Sequence, residues 1–414
     1  MPRHPPLYEW TAQVATRFPH LPVAHARSLA EWSYGMVVTH AVQLTTVVLQ
    51  LAVLLGQQVN TVRQRLRELF GPADRKAGDR RTTVDPHACC GPLVRWVTGG
   101  WADRRIALAL DASNLGDRFT VLAAAIVYRG VGIPVAWRVL PGGTPGESWN
   151  DIWVALVRRV MAAVGDDRRV FVLTDRGLES ATLFRALVTA GCHPLMRAKA
   201  GGHFRPAGWR RFRPMGRFAA AEGDRFAARG AAYKASKAPR ECTLLACRVG
   251  GCADPWLILT DLPPSAADPC WYAFRSWIEQ GFRLVKRGGW QWQRTRMTDP
   301  ERVERVWAAM AVATVWVVEV GGLAEYEERA ETLPPVPTGE TRPQPAMGKR
   351  PATGKRPRNR PGSARAHRVF ARGLVEVMAG LLNGQVKAGR FVPEPWPTIR
   401  RIPRVSEAEF DARE

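Results

Sequence analysis

The chain has 414 residues, 46% hydrophobic and 23% charged, a globular composition with room for a full hydrophobic core and two or three folded units. Its 60 lysines and arginines against 37 acids leave a net charge of +23, a field that attracts polyanions, of which nucleic acid is the commonest inside a cell. The seven cysteines are odd in number and lack zinc spacing, so they read as reduced core thiols rather than as a disulfide framework or a metal site.

In chain order, MPRHPPLYEW holds no apolar run of the kind that opens a secretory leader. The longest apolar stretch, Thr45 to Leu55, is too short to span a bilayer and is broken by Gln50. The expectation is a soluble, cytoplasmic protein with no membrane partner. Residues 1–85 read as helical. Within Leu51–Leu69, Ala52, Gly56, Val59, Val62 and Leu66 have the spacing of a helix-turn-helix: a small residue at the crossing, glycine at the turn, then apolar contacts. The second helix would present Gln57, Gln58, Asn60, Thr61, Arg63 and Arg65, side chains suited to base edges and phosphates. An ordinary helical hairpin carries the same pattern.

GDRRTTVDPHACCGP then reads as a linker, after which the period changes. Arg105–Ser113, Phe119–Gly130 and Val131–Leu140 are apolar runs of buried strands, the last two joined by a tight Arg129-Gly130 turn. Ser148–Gly165 is a helix with an N-cap serine, Arg168–Gly177 a strand, LESATLFRALVTAG a helix and CHPLMRA a short strand. The order β-β-β-α-β-α-β predicts an α/β protein with a ribonuclease-H-like mixed sheet over residues 100–200. Residues 201–265 read as a β-rich insertion, and 266–325 as completion of the core with a catalytic helix. The tract 332–366 is a Pro/Arg-rich linker, and 367–414 a short helical C-terminal region starting near Arg368.

Two aspartates end or nearly end apolar strands, Asp111 in ALALDAS and Asp175 in FVLTDRG. A carboxylate leaving a buried strand is costly without a partner. In the proposed order the first and fourth strands are neighbours, so both carboxylates converge at one rim. Capping of the next turn is the plainer role for each alone, and Asp261 in LILTDLP carries the same signature, but it lies in the insertion. A helix laid across that rim comes from YAFRSWIEQGFRLVKRGGW. At ~100° per residue, Tyr272, Arg275, Glu279, Arg283 and Lys286 share one polar stripe opposite Phe274, Trp277, Ile278 and Gly281. A solvated face with i,i+4 charge pairs would look alike. Two aspartates and Glu279 can hold two divalent cations ~4 Å apart, and an all-oxygen set suits Mg²⁺, with Mn²⁺ able to substitute.

The spacing Y-x2-R-x3-E-x6-K over Tyr272, Arg275, Glu279 and Lys286 resembles the Tyr-Arg-Glu-Lys signature of bacterial insertion-sequence transposases of the IS-four type, which carry a DDE triad on a ribonuclease-H-like core. The resemblance covers about Ile106 to Gly322. It implies cut-and-paste DNA transposition, with Asp111, Asp175 and Glu279 as catalytic metal ligands. It carries phosphate contacts to Arg275, Lys286 and Tyr272, and a flipped-base stacking role to Trp256, for which a core tryptophan is the alternative. Arg283 lies on the same stripe. The partners implied are double-stranded DNA at terminal inverted repeats and at the target, and a second copy in a synaptic homodimer, at the bacterial nucleoid. A non-catalytic regulator derived from a transposase and a ribonuclease-H-like nuclease are the competing readings.

Overall fold

Helices α1 (Pro5–Arg17), α2 (Val23–Thr39), α3 (Leu44–Leu55) and α4 (Val59–Phe70) open the chain. The structure is a computed structural model and describes residues 4–76, 81–146, 149–234, 240–250, 252, 254–332 and 361–412. Helix α3 stops where Gly56 turns left-handed (φ 58°, ψ 42°), a conformation glycine adopts without steric penalty. Beyond it α4 buries Val62, Leu66 and Leu69 and leaves Gln57, Gln58, Asn60 and Thr61 exposed. The helix–glycine–helix shape follows the sequence spacing.

Among the described residues these helices share one continuous core with the rest of the chain, across the boundary expected near residue 85. Trp10 stacks on Trp316 at 3.9 Å. The Val42 N–H donates to the Trp290 carbonyl (2.8 Å), Gln43 Nε2 to that of Gln291 (2.7 Å), and Arg305 Nη1 to that of Phe70 (3.0 Å). The expected linker is also partly helical. Asp85 accepts from the His87 N–H and starts a 3₁₀ turn, and α5 (Cys90–Thr98) buries Cys90, Leu93, Val94 and Val97. Glycine and proline at its start mask an amphipathic helix, because Pro92 sits in the first turn where its missing N–H costs nothing.

Strands β1 (Arg105–Leu115), β2 (Phe119–Tyr128) and β3 (Val131–Pro141) form the antiparallel meander. Arg129 and Gly130 make the hairpin with φ of 45° and 89°. After α6 (Trp149–Met161), β4 (Arg169–Thr174) returns parallel to β1. The expected N-cap, Ser148, lies outside the described residues. Helix α7 (Ala181–Thr189), capped by Ser180, leads to β5 (His193–Arg197), parallel to β4. The insertion supplies β6 (His203–Pro206), β7 (Arg213–Pro214), β8 (Arg225–Ala232), β9 (Arg240–Cys247) and β10 (Trp256–Thr260). It extends the same sheet, since β10 pairs antiparallel with β5. Among the described residues the strands run β3-β2-β1-β4-β5-β10-β9-β8-β6-β7. This large mixed sheet fits a ribonuclease-H-like arrangement.

Helix α8 (Ser276–Arg283) lies directly on β3. A Cβ on Gly132 would stand 2.6 Å from the Ile278 Cα, and one on Gly281 only 2.2 Å from the Gly132 carbonyl oxygen, so backbone rests on backbone there. Helix α9 (Pro300–Thr332) runs through the core against α2, α4 and β3. It is long and apolar enough to cross a membrane, but its apolar window is 94% buried by the other elements. Helix α10 (Pro361–Leu382) packs on α9 through Gly321 and Gly373 and begins before the expected Arg368. Helix α11 (Glu407–Asp411) docks Phe410 on Phe218 of the insertion. Residues 333–360, most of the expected Pro/Arg-rich linker, lie outside the described residues.

Candidate active site

Ile106–Leu110 is fully buried, and Asp111 is the first half-buried residue beyond it, just past the last pair between β1 and β4. Asp175 follows the last residue of β4, whose Val170–Thr174 run is equally buried. The parallel register aligns Ala109 with Leu173. Each aspartate is two residues further on, so both emerge at the same height and on the same face of neighbouring strands. Backbone amides hold them there. Asp111 Oδ1 accepts from Ala112 N–H (2.9 Å), and Asp175 Oδ1 accepts from Gly177 and Leu178 N–H (2.9 and 3.2 Å). The turn thus engages Oδ1 of Asp175 and leaves Oδ2 facing the site.

Helix α8 brings Glu279 over this rim. The junction is the guanidinium of Arg275: its Nη2 lies 3.1 Å from Asp111 Oδ1 and 3.6 Å from Asp175 Oδ2, and its Nη1 lies 3.6 Å from Glu279 Oε1. Three carboxylates far apart in sequence therefore gather on one side chain. The arginine side chain is 6% exposed, whereas those of Asp175 and Glu279 are 46% and 45% exposed. Burial pushes the Asp111 carboxyl up to about 6; Arg275 opposes this, while Asp175 and Glu279 add to it.

The single polar stripe expected for Tyr272–Lys286 is not what forms. Pro269–Arg275 is a 3₁₀ turn, Ser276–Arg283 is α-helical, and Leu284–Gly288 widens into a π turn. These have about 3, 3.6 and more than 4 residues per turn, so the ~100° phase does not carry through. Tyr272 and Arg275 point inward, Glu279 and Arg283 are exposed, and Lys286 is half-buried. Lys286 Nζ donates to the Asn114 carbonyl on β1 (2.6 Å); burial lowers its pKa, and Arg287 adds to this. Arg283 donates to Gln280 Oε1 (3.4 Å). Tyr272 packs edge-on against the half-buried Trp256 at 5.7 Å, and the Arg197 guanidinium lies 5.8 Å from the Tyr272 ring. Burial raises the Tyr272 phenol to about 12. Arg63 and Arg65 belong to α4. Arg65 is tied to Glu31 (2.5 Å) and Gln57 (2.9 Å), so its side chain is largely committed within the helices.

Sequence reasoning missed Asp268, which is 1% exposed and anchors the start of this segment. It caps the 3₁₀ turn through Cys270 N–H (2.8 Å), takes two bonds from Arg225 (2.9 and 2.8 Å) and one from Arg400 N–H (3.0 Å). Burial works to raise its pKa, but these donors outweigh it and hold the carboxyl below its ordinary value. The Asp-Pro pair in DPCW is a start signal that could have revealed it.

The donor set of Asp111, Asp175 and Glu279 is all oxygen, the chemistry of a hard divalent cation. With the guanidinium between them, no three acidic, histidine or cysteine side chains among the described residues are close enough to share a metal ion. No curated protein matches the chain. Residues 124–316, which include Asp175, Arg275 and Glu279, match the family model of the transposase DDE domain, a likeness that supports a DDE transposase.

Proposed function

We propose that this chain is an IS-four-type transposase that moves an insertion sequence by cut-and-paste, using Asp111, Asp175 and Glu279 as its catalytic triad. The observation that carries the reading is the meeting of these three carboxylates, from β1, the end of β4 and α8, on one guanidinium. Asp111 precedes the matched segment, so its place in the triad rests on geometry. The residues fit Mg²⁺, with Mn²⁺ as substitute; when bound, the metal supplies an activated water or 3′-hydroxyl and stabilises the leaving oxygen of a phosphodiester. The chain's own contribution is positional. Backbone amides fix Asp111 and Asp175, and the Gly132–Gly281 contact seats Glu279.

Lys286, Arg283 and Arg275 neutralise phosphates of the strand drawn over the rim, and Tyr272 assists from beneath. Trp256, beside Tyr272, is the candidate for stacking on an extruded base. Helix α4, with Arg63 and its exposed polar residues, reads the terminal inverted repeats. A homodimer assembles two ends in the bacterial cytoplasm. Glu279→Gln tests the chemistry. Mg²⁺-dependent nicking of an end-bearing duplex should vanish while binding to that duplex persists, and undiminished nicking removes Glu279 from the triad.

A further inference from the structure

The position of Arg275 goes beyond a phosphate-gripping role. Its guanidinium takes as partners the same three carboxylates that the proposed chemistry assigns to the cation. It is buried, and among the described residues its Nε and Nη1 have no hydrogen-bond partner. A guanidinium carries five donors, and leaving buried ones unmatched is costly. Arg225, the structural partner of Asp268, leaves only its Nε unmatched, whereas Arg275 leaves an Nη as well. Arg275 also ends the 3₁₀ turn that leads into α8. A phosphodiester offers it a planar, bidentate anionic partner that matches the guanidinium fork better than three separate carboxylates do. A divalent cation and a guanidinium cannot share these oxygens, because like charges at ~4 Å repel strongly in a partly buried site.

We propose that Arg275 is a gate: it closes the carboxylate group to metal in the DNA-free protein, and a DNA phosphate draws it away, so that metal loads after DNA. This rests on reading the three carboxylates as metal ligands. It gives the enzyme an order of assembly that keeps a charged cleavage centre from forming without its substrate. Linkage requires the converse as well, with bound metal tightening DNA by the same factor.

The test uses the full-length chain and Mn²⁺ as the probe, with free Mn²⁺ followed by electron paramagnetic resonance. The wild type, Arg275→Gln and Glu279→Gln are titrated alone and with a duplex taken from the DNA bordering the reading frame. The wild type should bind Mn²⁺ weakly alone and at least ~10-fold more tightly with the duplex. Arg275→Gln should bind it ~10-fold more tightly than the wild type without DNA and gain little from the duplex. Glu279→Gln should bind poorly in both states. Equal, tight binding by the wild type and Arg275→Gln without DNA would overturn the gate and leave the metal-site reading standing. No binding by any form, even with the duplex, would overturn both. If Arg275→Gln does not fold by circular dichroism, the wild type alone decides, and a duplex that leaves its Mn²⁺ affinity unchanged refutes the gate.

Discussion

Strands β4 and β10 end in Leu-Thr and are each followed by an aspartate, Leu173-Thr174-Asp175 and Leu259-Thr260-Asp261, yet only Asp175 joins the carboxylate group. Both threonines are fully buried, so the two ends are alike locally. The difference is direction. β4 runs parallel to β5, and β10 runs antiparallel to it. Asp261 therefore leaves the sheet at the opposite rim, where its Oδ2 lies 2.9 Å from Nδ1 of His193 at the start of β5. A carboxylate that caps a strand acquires chemical meaning from which way the strand points, and that is a property of the whole sheet.

The sharpest way to break this comparison is to neutralise both ends. Asp175→Asn should lower Mg²⁺-dependent DNA cleavage by about 10³-fold or more, the scale expected when a metal ligand is lost. Asp261→Asn should leave cleavage within about threefold and cost about 0.5–1.5 kcal/mol in denaturant unfolding through its weakened bond to His193. Equal activity losses would erase the distinction between the rims.

Next in size is the seat of α8. In Gly281→Ala the new methyl meets the Gly132 carbonyl, which should destabilise the fold by about 1–3 kcal/mol and reduce cleavage by shifting Glu279. Unfolding curves and cleavage rates measured together check this. A stable, fully active variant would show that α8 is not fixed by that contact. A smaller effect belongs to Lys286→Ala. Its DNA affinity should fall, and the slope of log affinity against log salt should flatten by about 1, the mark of one lost phosphate contact. An unchanged slope would confine Lys286 to its bond with Asn114.

A separate effect, on stability and not on cleavage, concerns a carboxylate buried away from both rims. Burial lifts Glu319 to about 7, and a hydrogen bond from Trp96 Nε1 (3.1 Å) opposes the shift. Because the folded-state pKa is raised, the folded chain binds the proton more tightly than the unfolded one. Stability should therefore be greatest on the acid side of this titration and fall between about pH 4.5 and 7, with a slope of up to ~1.4 kcal/mol per pH unit. Glu319→Gln should flatten that part of the thermal-midpoint profile and raise the midpoint above pH 7. An unaltered profile would assign the titration to another group.

The contrast also marks how far the sequence can be read. Ile106–Leu110 and Val170–Thr174 are unbroken apolar runs, and the β-β-β-α-β order makes β1 and β4 neighbours, so the meeting of Asp111 and Asp175 was legible. The expectation that a helix carries Glu279 to the same place agrees with its contact to Arg275. The inward turn of Tyr272 and Arg275 was not, because a periodicity argument assumes one helix type and this segment passes through three. The expected free face of α4 is partly closed by Glu31, a partner on another helix that no local pattern in α4 announces. The union of the N-terminal helices with the core depends on Trp10 meeting Trp316, a pairing set by tertiary packing alone.

That union has a mechanical consequence. Helix α9 touches both α4 and β3, and β3 carries α8, so the helix proposed to read DNA and the rim proposed to cut it are bolted to one spine. A duplex held at both places is measured as if against a ruler. Each base pair added between them would swing the scissile bond about 35° around the DNA axis, off the cutting edge and out of reach.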